Sequence, residues 1–440
     1  MMRHIALTAL LLSLPAIASA CMNDRDSDAL VIENKRLPDV IRVASGRFER
    51  NPPRYYKMRV ARVESELKSN PRQFGLYDDL AVAHDRLGDD ETAIKVMAQK
   101  RALLPAYNAA DKANKEAWYR YFANDGTFRA HRFLHEGAKV ERLGEMKQAR
   151  EEIRRAIEIK PNAHFGREPV QLMVMDWIIA RKQKVTKRTL GEWFEVKDGW
   201  HIFYEGEGQQ GKYIDNGTQL LTDEDYVITH KGHKGDSPQQ IDAKNKHRRA
   251  TAEGLAGLVV LGAAWNSPDV FEALAHALEV KDTIALRYMV LLRCRESLEG
   301  KKPSMAGLTI KGVNEALRDS EELEEEGVGL NFQNQKSLDS LYPQLRKEAD
   351  EWEASRVRWM EAKFEQGQHP DTSANFWQGF QETTPPSLDV KWFDEGLNRD
   401  RSIAMALFVG MLVIFAVPIL ITVSVVIYLR RRAARNTSLA

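Results

Sequence analysis

The residues best suited to chemistry are few and scattered. His131 and His135 stand four apart, which on a helix sets both rings on one face, as metal ligands would be. No carboxylate or third histidine at a defined spacing completes that set, so no metal is assigned. His230, His233 and Asp236 fall in "THKGHKGD", a basic, glycine-containing loop in which solvated side chains are the simplest reading. Glu192, Glu195, Glu205 and Glu207 surround an aromatic stretch. Two of them held together would do acid–base work, and the same residues serve equally as a solvated face. The chain has no glycine-rich phosphate loop ending in Lys-Ser/Thr, no Gly-x-Ser-x-Gly, no His-Glu-x-x-His and no Cys-x-x-Cys. No catalytic residue and no cofactor is assigned.

The two ends say where such residues would work. "MMRHIALTALLLSLPAIASAC" has a basic start, an apolar run from Ile5 to Leu14 and the small residues Ala18, Ser19 and Ala20. That is the layout of a secretory signal over 1–20, cleaved after Ala20. The stretch ending in Cys21 resembles the lipobox of bacterial lipoproteins, which implies acylation of Cys21. Ala18 stands where that family prefers Leu, and plain cleavage is the preferred reading. From Ile403 to Leu429 the 27 residues carry no charge. At about 1.5 Å per residue they reach roughly 40 Å, enough to cross a hydrocarbon core of about 30 Å. "RRRAAR" follows at once, so the positive-inside rule leaves the tail, 430–440, in the cytoplasm. The expectation is a single-pass protein of the bacterial inner membrane with its body in the periplasm. Cysteine usage agrees: beyond Cys21 only Cys294 remains, in the apolar context of an inert buried thiol.

Charge excludes one class of partner. Removing Arg3 and the tail arginines 430, 431, 432 and 435 from the 64 basic residues leaves 59 against 63 acidic. A body with that slight negative excess gives no electrostatic reason for nucleic acid.

The elements that would position any site are helical, and the fold class expected is mainly α. After an irregular segment (21–55) closed by "NPPR", helical patterning runs from Tyr56 to Pro161, broken at 69–71, 87–90, 124–126 and 143–145. "REPVQLMVMDWIIARKQ" extends this first helical domain (56–184) with an apolar helix begun at Pro169. An aromatic, glycine-rich insert (185–250) follows, in which "FEVKDGWHIFY" alternates as a β-hairpin would. A second helical region (251–366) opens with a buried core helix and continues from Ser267-Pro268, a cap and first-turn pair. Leu338, Leu345, Trp352 and Trp359 recur every seven residues on a long charged helix, with packing against the body preferred to a coiled-coil seam. Residues 367–402 read as a juxtamembrane tether.

Two stretches within the first domain match each other. Ala81, Gly88, Ala93 and Pro105 recur 56 positions later as Gly137, Gly144, Ala149 and Pro161. The units, about 74–107 and 130–163, resemble the tetratricopeptide repeat, a helix–turn–helix of 34 residues that stacks into a solenoid. Departures exist: Tyr77 and Phe133 replace the family's Trp, Glu136 its Leu and Lys100 its Ala. The intervening 106–129 carries a helix of its own around Trp118 and Tyr121. In that family the inner face of the first helix lines a groove that holds partner segments. Carried onto matching positions, the resemblance implies a groove of Asp78, Val82, Asp85 and Arg86 from one unit and His131, Leu134, Glu141 and Arg142 from the other.

The function expected is therefore a membrane-anchored scaffold that binds protein or peptide partners, in envelope assembly or protein maturation. An envelope enzyme with its active site in 185–247 is the alternative, and a self-associating structural protein the third reading.

Overall fold

A computed structural model of the chain describes residues 37–161, 167–196, 238–260, 262, 264–279, 283–322 and 332–388. Every regular element among them is helical, with no strand. In chain order these are α1 (Pro38–Ser45), α2 (Pro53–Ser69), α3 (Phe74–Arg86), α4 (Asp90–Leu103), α5 (Lys112–His135), a 3-10 turn at Val140–Arg142, α6 (Leu143–Ile159) and α7 (Arg167–Lys182). After these come α8 (Leu190–Val196), α9 (Pro238–Val260), α10 (Pro268–Ala277), α11 (Ile284–Glu299), α12 (Ile310–Glu322) and α13 (Phe332–Glu365).

Local chemistry explains where the helices begin. The Asp89 carboxylate accepts from the Thr92 N–H at 3.1 Å and so caps α4, with Asp90 and Glu91 against the positive end of its dipole. Asp111 caps α5 by accepting from the amides of Ala113 and Asn114. Ser267 caps α10 ahead of Pro268, as the sequence predicts. Thr189 and Glu192 make reciprocal side chain–backbone bonds across the first turn of α8, a capping box.

Successive helices pack as neighbours from α2 through α8, and the later helices return onto the earlier ones. α9 packs on α7 and α1, α10 on α8, α11 on α1, and α13 on α11, α1 and α2. One core cluster joins Leu76, Tyr77 and Leu80 of α3 and Met97 of α4 to Tyr119 and Phe128 of α5. A second joins Tyr55 and Tyr56 of α2 and Ala83 of α3 to Met360, Phe364 and Phe376.

The helices depart from the predicted boundaries in several places. "NDG" at 124–126 reads as a break, yet α5 runs unbroken through it. Gly126 is there for packing: a Cβ would meet the Ala149 carbonyl oxygen at 2.8 Å and Ile153 at 3.0 Å. Within the predicted irregular segment, Pro38–Ser45 forms α1, which buries Val40, Val43 and Ala44. The predicted β-hairpin starts at Phe194, but Phe194–Val196 is the last turn of α8, and the rest of that stretch lies outside the described residues.

The first part of the predicted tether is instead folded against the body. His369 and Phe376 are buried, and Asp371 bonds Arg59 and Arg62 of α2 (2.6 and 2.8 Å). The seven-residue spacing of α13 resolves as packing within the chain, with Leu338, Leu345 and Trp352 each no more than 4% exposed. Among the described residues no helix is long and apolar enough to cross a membrane. The predicted signal, Cys21, the span 403–429 and the tail lie outside the described residues.

The internal match holds in the second helix of each unit and parts in the first. Ala93 and Ala149, Met97 and Ile153 are buried in pairs, and α4 and α6 end at the matching residues Leu103 and Ile159. The positive-φ turn glycines, however, are Gly88 (φ +82°) and Gly137 (φ +87°), whereas Gly144 is helical. The second unit therefore turns seven residues earlier than the match predicts.

Candidate functional site

A cleft of about 720 Å³ opens between α3, α5, α7, α9 and α10. Its first wall is built from the faces of α3 and α5 that the repeat resemblance singles out. Val82, Asp85 and Arg86 come from the end of α3, and His131, Leu134 and His135 from the end of α5. The other elements contribute apolar residues, with Met175 and Ile178 from α7, Leu258 from α9 and Val270 from α10, beside the charged Arg167, Glu168, Lys182 and Asp269. A mostly apolar concavity with a few convergent polar groups has the composition of a binding site.

Arg86 fixes the cleft's edge. Its Nη1 donates to the Gly262 carbonyl at 2.7 Å, and its guanidinium lies 5.1 Å from the Trp265 ring centre. Gly257 of α9 lets the Arg167 side chain lie against the helix, since a Cβ there would meet Arg167 Cδ at 2.2 Å and displace it. Leu134 remains 39% exposed, which makes it the most accessible apolar anchor of the first wall.

Polar groups converge behind that wall. Asp85 Oδ1 is 2.7 Å from His131 Nδ1, and Asp90 Oδ2 is 2.7 Å from His135 Nδ1. The two imidazole rings lie 5.9 Å apart, the i,i+4 pair on α5 that the sequence displays. Both carboxylates are buried, and donor atoms of Asp85, Asp90 and His131 all fall within 4.8 Å of one another. Burial raises the Asp90 carboxyl above its ordinary value; the His135 hydrogen bond opposes this and the Asp85 charge adds to it.

Five of the eight predicted groove residues, Val82, Asp85, Arg86, His131 and Leu134, thus line one cleft. The other three do not. Asp78 is buried, with both carboxylate oxygens 2.7 Å from Lys100 Nζ and a further bond from Asn124. Burial raises the Asp78 pKa and lowers that of Lys100, each opposed by the other's charge. Glu141 and Arg142 sit in the 3-10 turn outside the cleft lining, Glu141 exposed and Arg142 paired with Glu145 at 2.6 Å. The early turn at Gly137 carries them away from the face that Leu134 keeps.

Sequence reasoning missed the second wall, Asp90 and the pairing of both carboxylates with the histidines. The available signal for the wall was "REPVQLMVMDWIIARKQ", whose apolar residues run round the helix and so require cover on more than one side. Asp90 read as turn chemistry, although it begins α4 and reaches His135, 45 residues away. The carboxylates absent from the neighbourhood of His131 and His135 in sequence are supplied by the preceding hairpin.

The insert's acidic residues have structural partners where they are described. Glu192 belongs to the capping box, and Glu195 bonds His276 Nε2 at 3.0 Å. Burial lowers the His276 pKa, and the Glu195 hydrogen bond with the nearby Glu279 and Glu272 charges outweighs it, leaving the imidazole above its ordinary value. Glu272, raised by burial, accepts from Thr189 Oγ1 (2.7 Å) and the Gly191 amide (3.0 Å), clamping α8 to α10. None of these lines the cleft. Glu205, Glu207, His230, His233 and Asp236 lie outside the described residues. Cys294 is fully buried and its thiol is raised by burial, as an inert packing residue would be.

No protein family, curated protein or solved structure matches this chain.

Proposed function

We propose that the chain is a helical scaffold, built in part from tetratricopeptide-like hairpins, whose cleft holds a segment of a partner polypeptide. The observation that carries this reading is the cleft's first wall, where Val82, Asp85, Arg86, His131 and Leu134 converge from the helices the repeat resemblance assigns to partner binding. Apolar anchors beside carboxylate, imidazole and guanidinium groups suit a peptide segment of mixed character. The apolar run 403–429 and the leader-like 1–20 support placing this body outside the inner membrane, in envelope assembly or protein maturation.

The test is selection of peptides on the purified full chain, followed by affinity measurement on Val82→Asp and Leu134→Asp. Placing a carboxylate where an apolar anchor docks should weaken selected peptides about tenfold or more, about 1.4 kcal/mol. Glu141→Ala, outside the cleft, should leave affinity unchanged. Peptides that bind both cleft variants as tightly as the parent would remove the assignment.

A further inference from the structure

The geometry points to a divalent-cation site of the zinc class formed by Asp85, Asp90, His131 and His135 on the first wall of the cleft. Three separate elements bring these groups together: the last turn of α3, the first residue of α4 and one face of α5. The site needs no partner binding in the cleft and stands or falls independently of it.

Three observations favour a cation over two self-sufficient Asp–His pairs. First, the Asp85 and Asp90 side chains are only 6% and 4% exposed, and donor atoms of both carboxylates come within 4.8 Å of each other and of His131. Two carboxylates buried at that separation repel, and a divalent cation between them would offset both charges at once. Second, Asp90 Oδ1 has no hydrogen-bond partner although Asp90 is 95% buried, its relative exposure being 5%. Its sister oxygen bonds His135, so the carboxylate that enters the cluster has one oxygen left for a cation to satisfy. Third, His131 and His135 project from one helix face at the spacing of bis-histidine metal clamps.

Closing the site needs the Asp85, Asp90 and His131 donors, which spread over as much as 4.8 Å, to draw in by about 1.4 Å and His135 to swing toward them from the rim. Zinc bonds to imidazole nitrogen and carboxylate oxygen at about 2.0–2.1 Å, which sets tetrahedral donors roughly 3.4 Å apart. Each Nδ1–O pair stands at 2.7 Å and would open by less than about 1 Å to admit the ion. Binding the ion requires each imidazole in the neutral form that carries its proton on Nε2, with Nδ1 left to the metal. Two nitrogens with two oxygens select borderline ions over calcium, which takes six to eight oxygens, and the absence of thiolate disfavours copper(I). His135, 52% exposed, lies at the rim, so the site is reachable from solvent.

The test uses the full chain, purified without a polyhistidine tag and stripped with chelator. Titration with Zn²⁺ should show one equivalent bound, and Co²⁺ substitution should give visible d–d bands of nitrogen–oxygen ligation. The isosteric Asp90→Asn and the His131→Ala variants should each weaken Zn²⁺ binding about tenfold or more. Zn²⁺ should raise the thermal midpoint of the parent and of a His230→Ala/His233→Ala variant equally, and that of Asp90→Asn by less at the same concentration. Absence of stoichiometric Zn²⁺ binding by the parent would overturn the assignment. So would Ca²⁺ binding in preference to Zn²⁺, or binding lost in the His230/His233 variant and kept in Asp90→Asn.

Discussion

Lys100 shows how a single residue decides what a predicted site becomes. At the repeat position where alanine is usual, its ammonium is fully buried and takes both oxygens of Asp78. Asp78 thereby leaves the set of groove residues and joins the interior. Nothing in the helical pattern of α3 shows this, because the partner lies 22 residues on, in the next helix. Removing one member should leave an uncompensated buried charge: Lys100→Ala is expected to cost about 3–5 kcal/mol in chemical denaturation. Replacing both, as Asp78→Leu with Lys100→Met, should recover most of that loss, since a buried pair contributes little over apolar packing. A single variant as stable as the parent would show that the pair carries no such strain. Asp85 and His131 are the opposite case: their side chains were legible as groove residues, but their 2.7 Å contact was not, since it depends on α3 meeting α5.

At the scale of elements, the start of α10 was legible from its Ser267-Pro268 cap and that of α2 to within a few residues of "NPPR", whereas those of α1 and α9, also at prolines, lay in stretches that read as irregular. Helix interiors were misread where packing overrides turn chemistry. Gly126 lies in the turn-like "NDG", yet the helix continues through it, and α6 crosses there too closely for a side chain. Gly126→Ala is therefore expected to lose about 1–3 kcal/mol of stability, against the usual gain for alanine in a helix. Gly144→Ala, whose Cβ meets nothing within 4 Å, should be neutral or gain up to about 1 kcal/mol. Thermal midpoints of the two variants moving in the same direction would contradict the packing account.

The strap after α13 gives a pH signature. Burial raises the Asp371 pKa, but the hydrogen bonds and charge of Arg59 outweigh it and, with His369 and Tyr55, hold the carboxyl down at about 2. A depressed carboxylate stabilises the fold above its unfolded value near 4, and the contribution disappears as pH falls through about 2. Asp371→Asn should cost about 2 kcal/mol near neutrality, with the difference from the parent closing between about pH 4 and 2. A constant difference across that range would mean Asp371 acts through packing alone. The residues 371–376 read as tether because their anchoring partners, Arg59, Tyr55 and Phe364, are distant or hidden in sequence.

Over the whole molecule, the mainly helical character was legible from composition and periodicity, and the second wall of the cleft was not. That wall depends on α9 returning to α7 and on α10 packing against α8, contacts between regions separated by the insert. The central claim is that the faces of α3 and α5 receive a polypeptide in the cleft, and a photocrosslinking amino acid tests it most directly. Placed at Leu134 in the full chain within cells of origin, it should yield covalent adducts to a polypeptide. Placed at Glu141, exposed seven residues on but outside the cleft, it should not. Adducts from Glu141 alone, equal adducts from both, or none from Leu134 would contradict the account.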